Sequence, residues 1–485
     1  MVKQGTEPCD LSAVEARRLI GAKKLSPVEL LESCLKRTAE TNGAVNAVVA
    51  QDEDLARRTA REQEADVMAG RQLGLLHGLP VGIKDLEPVR ALRSTWGSLI
   101  FKDHVPEADG TNVANVRMAG ANIFAKTNTP EFGAGANTRN RVYGATGNPF
   151  DPELTAAGSS GGSAVALAVG QMPLATGSDY GGSLRTPAAF SGIVGFRPSV
   201  GVVPSPDRAA GLVPWGVLGP MGRTVEDAYL LFRAQVDENV DDPFSTGTLD
   251  LPEVIVPSDL ASLRVAITPD FGQAPVAKAI RTVFADRMKR LAPLVAAAEE
   301  THPDYAGLHE IFEIHRGLAF ATLHQEKLAK HRDLLDRNVI DNTERGLKLT
   351  MAEIGRGMVE QHALTKRVNA FFDDWDVVIA PTASVSPFPH AQLFVEEIDG
   401  EKMPTYMRWL ALAYAPTMAL CCACSIPCGR DDGGLPFGLQ VIGPRGADLH
   451  VLQVAAALQA VFAGDPTTAR PVPNVAKLAG KAKAS

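Results

Sequence analysis

Two hydrophobic periods alternate along most of the chain. Residues 27–37 carry apolar side chains at helical spacing behind Ser26-Pro27-Val28-Glu29, a capping box with proline at the first helical position. A second helical stretch covers 53–68 and stops at Gly70. Residues 79–83 form a short continuous apolar run ending at Lys84-Asp85, which predicts a buried strand with a lysine at its end. The pattern then predicts a helix at 111–119, a strand at 121–125, a helix at 163–169 and a strand at 173–176. Farther on it predicts a strand at 264–268 and a helix at 276–291. Long helices follow within 300–375, with returning strands at 377–380 and 437–442. This alternation predicts an α/β layer fold with a sheet between helices.

No internal repeat and no long linker interrupts the 485 residues, so one domain over 1–485 is expected. The locally basic end, KLAGKAKAS, reads as part of a solvated, disordered tail over 470–485. Hydrophobic residues make up 45% of the chain, enough for a large core. The net charge is -8, with both signs mixed along the sequence, which excludes the basic field of a nucleic-acid binder. No apolar run approaches the ~20 residues of a membrane span. The N-terminus lacks an apolar core before a small-residue cleavage site, so a soluble, cytoplasmic protein is expected.

Cys421, Cys422, Cys424 and Cys428 cluster, but without paired C-x-x-C spacing or a nearby histidine. They read as a buried strand of small thiols. His309, His315, His324, His331 and His362 show no H-x-x-x-H or H-E-x-x-H spacing and read as ordinary surface or packing residues. No metal and no organic cofactor is expected.

Chemistry concentrates in three segments: GLPVGIKD (78–85), AAGSSGGSAVALAVG (156–170) and GSDYGGSLRTPAAFSGIVGFRP (177–198). The turn Gly158-Ser159-Ser160-Gly161-Gly162 opens into an apolar helix, whose first N–H groups and dipole favour negative charge. The turn Asp179-Tyr180-Gly181-Gly182-Ser183 follows a strand and exposes successive N–H groups beside a serine hydroxyl, the construction of an oxyanion hole. A nucleophilic serine needs a base. Lys84 suits that role, because burial disfavours its ammonium form.

These segments resemble the amidase signature family, over about residues 11–461 and most densely over 78–198. AKTNTPEF, VIAPTA and GLPFGLQVIG fall in the family's order. The resemblance implies a large mixed β-sheet core covered by helices on both sides, with the triad core at about 70–200 and a variable helical region at about 300–375. It implies a Ser–cis-Ser–Lys triad, with Ser183 as nucleophile, Ser159 as bridging serine after a cis Gly158–Ser159 bond, and Lys84 as base. It assigns the oxyanion hole to the N–H groups of Tyr180, Gly181, Gly182 and Ser183. Ser160, Asp179 and Arg185 match supporting positions, and Gly133, Ala134 and Gly135 match a segment on the substrate's carbonyl side. The implied activity is hydrolysis of the C–N bond of a small to medium amide, or of a carbamate. A monomer or homodimer is expected, and the charge balance and short apolar runs predict no nucleic-acid or membrane partner.

Two other readings compete. Gly158 to Gly162 also spells G-x-S-x-G, which in an α/β-hydrolase makes Ser160 the nucleophile, with His390 and His450 as candidate partners. The glutaminase component of a tRNA-dependent amidotransferase shares the triad. That component typically carries a Ser-Leu-Asp-Gln segment where this chain reads WGVLGPMGRTVEDA. Substrate loops are expected at 200–216, 300–375 and 384–410. Their residues Phe132, Tyr143, Val202, Val203, Leu212, Val213, Trp215, Phe388, Met407, Trp409 and Leu410, taken with neighbouring segments, predict an apolar pocket suited to an aryl group. Arg139, Arg141, Asp207 and Arg208 in the same regions favour a charged substrate instead.

Overall fold

The computed structural model describes residues 7–482 apart from 209, 246 and 248. Its strands are β1 (Val48–Gln51), β2 (Pro80–Lys84), β3 (Asn122–Thr127), β4 (Arg139–Asn140), β5 (Gly144–Ala145), β6 (Leu174–Asp179), β7 (Val194–Arg197) and β8 (Val217–Gly222). They continue as β9 (Arg264–Ile267), β10 (Ala297–Glu300), β11 (Val377–Pro381), β12 (Glu397–Ile398), β13 (Glu401–Lys402), β14 (Cys422–Arg430) and β15 (Pro436–Gly443). Eleven of them form one mixed sheet in the order β1-β3-β2-β6-β8-β7-β14-β15-β11-β9-β10, and β4–β5 and β12–β13 are small ribbons. β2 runs parallel to both β3 and β6, and β9 parallel to both β10 and β11.

The helices are α1 (Ala13–Gly21), α2 (Pro27–Val45), α3 (Glu53–Met68), α4 (Thr111–Met118), α5 (Gly161–Ala168), α6 (Arg185–Ser191) and α7 (Val225–Gln235). They continue as α8 (Lys278–Leu291), α9 (Leu308–His331), α10 (Arg337–Leu347), α11 (Met351–Phe371), α12 (Ala411–Met418), α13 (Asp448–Ala463) and α14 (Val475–Ala482). Every residue of β2, β11 and β15 is buried. Side chains alternate between the faces of a strand, so both faces of the sheet are covered there. That is why these strands read in the sequence as continuous apolar runs.

The clustered cysteines belong to this buried layer. Cys422, Cys424 and Cys428 lie in β14, Cys421 just precedes it, and all four are buried and unpaired. Among the described residues no group of three His, Cys, Asp or Glu side chains is placed to hold a metal ion. No helix there is long and apolar enough to cross a membrane.

Two segments differ from the pattern reading for clear reasons. Helix α2 runs eight residues past its expected end, and its buried Thr38 and Thr41 hydroxyls are satisfied there by donating back to Cys34 O (2.9 Å) and Arg37 O (2.7 Å). The tail expected to be solvated and disordered over 470–485 instead forms α14 at Val475–Ala482. Leu478 there is buried in the same apolar cluster as Leu31 and Leu35 of α2. The basic residues had masked one apolar side chain facing the domain. Residues 483–485 of that tail lie outside the described residues.

Candidate active site

Because β2 and β6 are parallel neighbours, their C-terminal ends deliver Lys84 and Ser178-Asp179 to one edge of the sheet. Ligands of open α/β sheets bind at such strand ends. Lys84 is fully buried there. Its Nζ lies 2.7 Å from Ser159 Oγ, 2.8 Å from Ser160 Oγ and 2.8 Å from Ser178 Oγ. These partners are all hydroxyls. Burial pushes the Lys84 amine down to about 7, against the opposing pull of Asp179 and Glu87. A lysine of this kind is available as a neutral base near neutral pH.

Ser159 and Ser160 occupy the turn between the buried Ala156-Ala157 and helix α5. The Gly158–Ser159 peptide bond is cis. Ser160 stands at the N-cap of α5 but does not cap it, because its hydroxyl faces Lys84 and Ser178. Thr138 supplies the missing acceptor: its Oγ1 receives the Gly161 N–H (3.1 Å) and donates to Ala157 O (2.8 Å). The helix start is thus satisfied without spending the serine hydroxyl.

The second turn follows β6. Gly182 adopts φ +105°, and a Cβ there would come within 2.4 Å of Ala413 Cβ, so no larger residue fits. The Asp179 carboxylate folds back over this turn. It accepts the N–H of Gly182 (2.9 Å) and of Leu184 (3.2 Å), and both nitrogens of an Arg185 fork (3.0 Å each). Arg197 approaches its Oδ1 at 3.4 Å and its main-chain O at 2.6 Å. Burial alone would raise this carboxyl, but the two guanidinium groups hold it at about 2. They also offset its negative field beside the turn.

One backbone donor of the second turn is engaged within the fold. The Gly182 N–H, one of the four expected oxyanion donors, is already committed to Asp179. Among the described residues the N–H groups of Tyr180, Gly181 and Ser183 have no intramolecular partner. Three free donors therefore line the turn, and the fourth braces it.

Gly133 adjoins the site: a Cβ built on it would lie 3.4 Å from Ser159 Oγ and 3.0 Å from Leu86, and its φ is +70°. Ala134 and Gly135 turn away towards α10, where Asn338 donates to Ala134 O (3.2 Å). A Cβ on Gly135 would fall 2.7 Å from the Asn338 amide. Ser178, Arg197, Thr138 and Gln440, which receives the Arg185 NH1 at 2.9 Å, carried no sequence assignment. Ser178 was legible in principle, since it lies in the strand that ends at the oxyanion turn.

Among the described residues no histidine hydrogen-bonds to Ser159, Ser160 or Ser183. His390 bonds there through its backbone carbonyl and amide, to Asn137 and Glu153. The expected apolar pocket is also redistributed. Val202, Val203, Trp215, Trp409 and Leu410 are buried core, and Leu212 is exposed. Val213 instead joins Leu86, Leu218 and Leu323 around a cavity of about 280 Å³ over Ser178, Asp179 and Tyr180. Of the loop arginines, Arg139 and Arg141 donate to the carbonyls of Ala391 (3.3 Å) and Asp333 (2.9 Å). Arg208 borders the cavity but is held by Asp242 (3.4 Å) and Gly216 O (2.7 Å).

Comparison with known proteins places the chain among relatives with matching architecture. The Amidase family model matches residues 29–452. An acylamidase of Rhodococcus erythropolis is 32% identical, with 93% of this chain and 95% of the relative covered. The A component of the glutamyl-tRNA(Gln) amidotransferase of Acidothermus cellulolyticus is 33% identical, with 93% and 94% covered. The crystal structure of a bacterial aryl acylamidase of the amidase signature family superposes with a TM-score of 0.86 at 26% identity, over 98% of this chain and 99% of that one. The chain therefore belongs to the amidase family, and it is an enzyme that hydrolyses amide C–N bonds.

Proposed function

We propose that this amidase acts on small to medium amides bearing an apolar or aryl group, and on aryl carbamates, through an acyl-enzyme on Ser183. The observation that carries the reading is Lys84, a fully buried amine whose hydrogen-bond partners are all serine hydroxyls. Neutral Lys84 accepts a proton from Ser159 as Ser159 accepts the proton of Ser183. Ser183 Oγ then forms a bond to the substrate carbonyl carbon, and the oxyanion takes the free N–H groups of the glycine turn. The proton on Lys84 returns through Ser159 to the leaving nitrogen as the C–N bond breaks. Water repeats the sequence against the ester and releases the acid. Arg185, Asp179 and Arg197 keep the turn rigid throughout.

The apolar cavity beside Tyr180 supports the substrate class, since such pockets bury most of a ligand against apolar walls. Burying one aromatic ring there contributes about 2 kcal/mol, or about thirtyfold in affinity. The similarity to an acylamidase and an aryl acylamidase points the same way. The test is a turnover screen of acetanilide, an aryl carbamate, p-nitrophenyl acetate, acetamide and glutamine. Acetanilide or the carbamate should exceed acetamide and glutamine in kcat/KM. A clear preference for glutamine would favour the amidotransferase-like reading instead.

A further inference from the structure

Arg316 lies within α9, buried, and its bonded partners are neutral. Its Nε donates to Asn342 Oδ1 (3.0 Å) and one terminal nitrogen to the Tyr406 hydroxyl (2.5 Å). The rings of Phe320, Tyr406 and Tyr180 surround the guanidinium at 4.6, 5.6 and 5.8 Å. No carboxylate among the described residues pairs with it. A guanidinium stays charged at every working pH, and a buried charge without a counter-charge is unfavourable. Such an arrangement is expected where the counter-charge arrives with a ligand.

The surroundings support this. Arg316, Tyr406, Thr405, Met407 and Phe312 border a cavity of about 240 Å³. Three glutamates also line it, and each is already engaged: Glu310 with Arg356 (2.5 Å), Glu313 with Arg408 (3.3 Å), and Glu353, whose carboxylate accepts the Thr350 N–H and hydroxyl (2.8 Å each). The Thr405 hydroxyl, on the cavity wall, is buried without any hydrogen-bond partner among the described residues. Met407 and Phe312 of the cavity wall also pack against the glycine turn: a Cβ on Gly181 would lie 3.5 Å from Met407 Cε and 3.8 Å from the Phe312 ring. The Tyr180 ring, which lines the other cavity over that turn, lies 5.8 Å from the Arg316 guanidinium, so Arg316 stands one side chain away from the turn.

We propose that the Arg316 cavity is a carboxylate subsite, so that the preferred amides carry a free carboxylate on the arm opposite the apolar cavity. Arg316 NH1, without a partner among the described residues, supplies a charge-assisted hydrogen bond, and the orphaned Thr405 hydroxyl supplies a further donor. This rests on the amidase reading of the glycine turn and adds the chemistry of the substrate's far end.

The test compares acid and ester pairs by release of the aromatic amine or aminobenzoate. Succinanilate and its methyl ester vary the acyl arm; 4-acetamidobenzoate and its methyl ester vary the amine arm. In one pair the acid should exceed the ester by at least about tenfold in kcat/KM, the value of a charged hydrogen bond. Arg316→Gln should bring that ratio to one or below, mainly through KM, and Arg316→Lys should cut it severalfold while keeping the charge. Calorimetry on Ser183→Ala protein should show the preferred acid binding at least about tenfold more tightly than it binds the same protein carrying Arg316→Gln as well. If acetanilide is hydrolysed but neither pair favours the acid, the subsite is overturned and the amidase reading stands. If no amide is turned over, the function proposed above fails, and the calorimetry alone decides the subsite: absence of acid binding overturns it.

Discussion

The state of Lys84 couples activity to stability, and both can be measured. In the folded protein its amine is pushed down to about 7 from the ordinary 10.5. Between those values the folded state holds Lys84 neutral while the unfolded chain holds it protonated. Unfolding therefore takes up a proton, and stability rises as pH climbs from about 7 towards 10.5. Below neutral pH the buried amine costs about 5 kcal/mol, and the cost is largely gone near 10.5. Between pH 7.5 and 9.5 the gain is about 2–3 kcal/mol. Lys84→Met removes the titrating group at similar volume. It leaves three serine hydroxyls without their partner, which lowers stability by an amount that does not depend on pH. The difference between wild type and Lys84→Met, followed by denaturant unfolding across pH 7.5–9.5, should therefore slope upward by about 2–3 kcal/mol in favour of wild type. Over the same range kcat/KM for acetanilide should rise through about pH 7 and level off, because only the neutral amine accepts a proton. Lys84→Met should lose several orders of magnitude in kcat. Parallel stability curves together with a flat rate profile would refute a neutral Lys84.

The other predictions test the groups around it. Ser183→Ala should abolish turnover with the fold intact, and a fluorophosphonate should add a single label mapped by mass spectrometry to Ser183; a label on Ser160 would reject the assigned nucleophile. Gly133→Ala should lower kcat at least about tenfold, since the new methyl must sit at positive φ, 3.4 Å from Ser159 Oγ and 3.0 Å from Leu86; near-normal rates would show that this turn is not constrained. Asp179→Asn should destabilise the protein by about 3–5 kcal/mol in denaturant unfolding, because it strands two buried guanidinium groups. A change below about 1 kcal/mol would mean the arginines are satisfied by their other partners.

The three free N–H groups beside a braced fourth tie the turn's rigidity to its chemistry. Asp179 is the hinge of that arrangement, since it binds the turn on one side and two arginines on the other. Arg185 in turn reaches Gln440 of β15 and the Ala413 carbonyl of α12. The oxyanion turn is thereby anchored to segments more than two hundred residues away in sequence. A donor array held in this way needs little reorganisation when charge develops on the carbonyl oxygen.

Much of this was legible in the chain itself. The periodicity located β2, β3, α3 and α5 to within a few residues, because a buried strand and an amphipathic helix leave different periods. The two serine turns and Lys84 stood out because glycine-rich turns flanked by buried elements have few other uses. Strands β7 and β8 escaped notice, being short and rich in glycine or proline, with pairing partners that decide their conformation. Long-range contact decided the rest. Which N–H groups of the glycine turn remain free depends on where Asp179 folds, and Ser178 joins Lys84 only because β2 and β6 lie side by side. Arg316 carried no assignment in the sequence; folding surrounds it with three aromatic rings, and no carboxylate among the described residues pairs with it. Local propensity and hydrophobic period are properties of neighbouring residues and can be read in order. Burial, field and the pairing of charges arise between residues far apart in the chain, so only the assembled tertiary structure determines them.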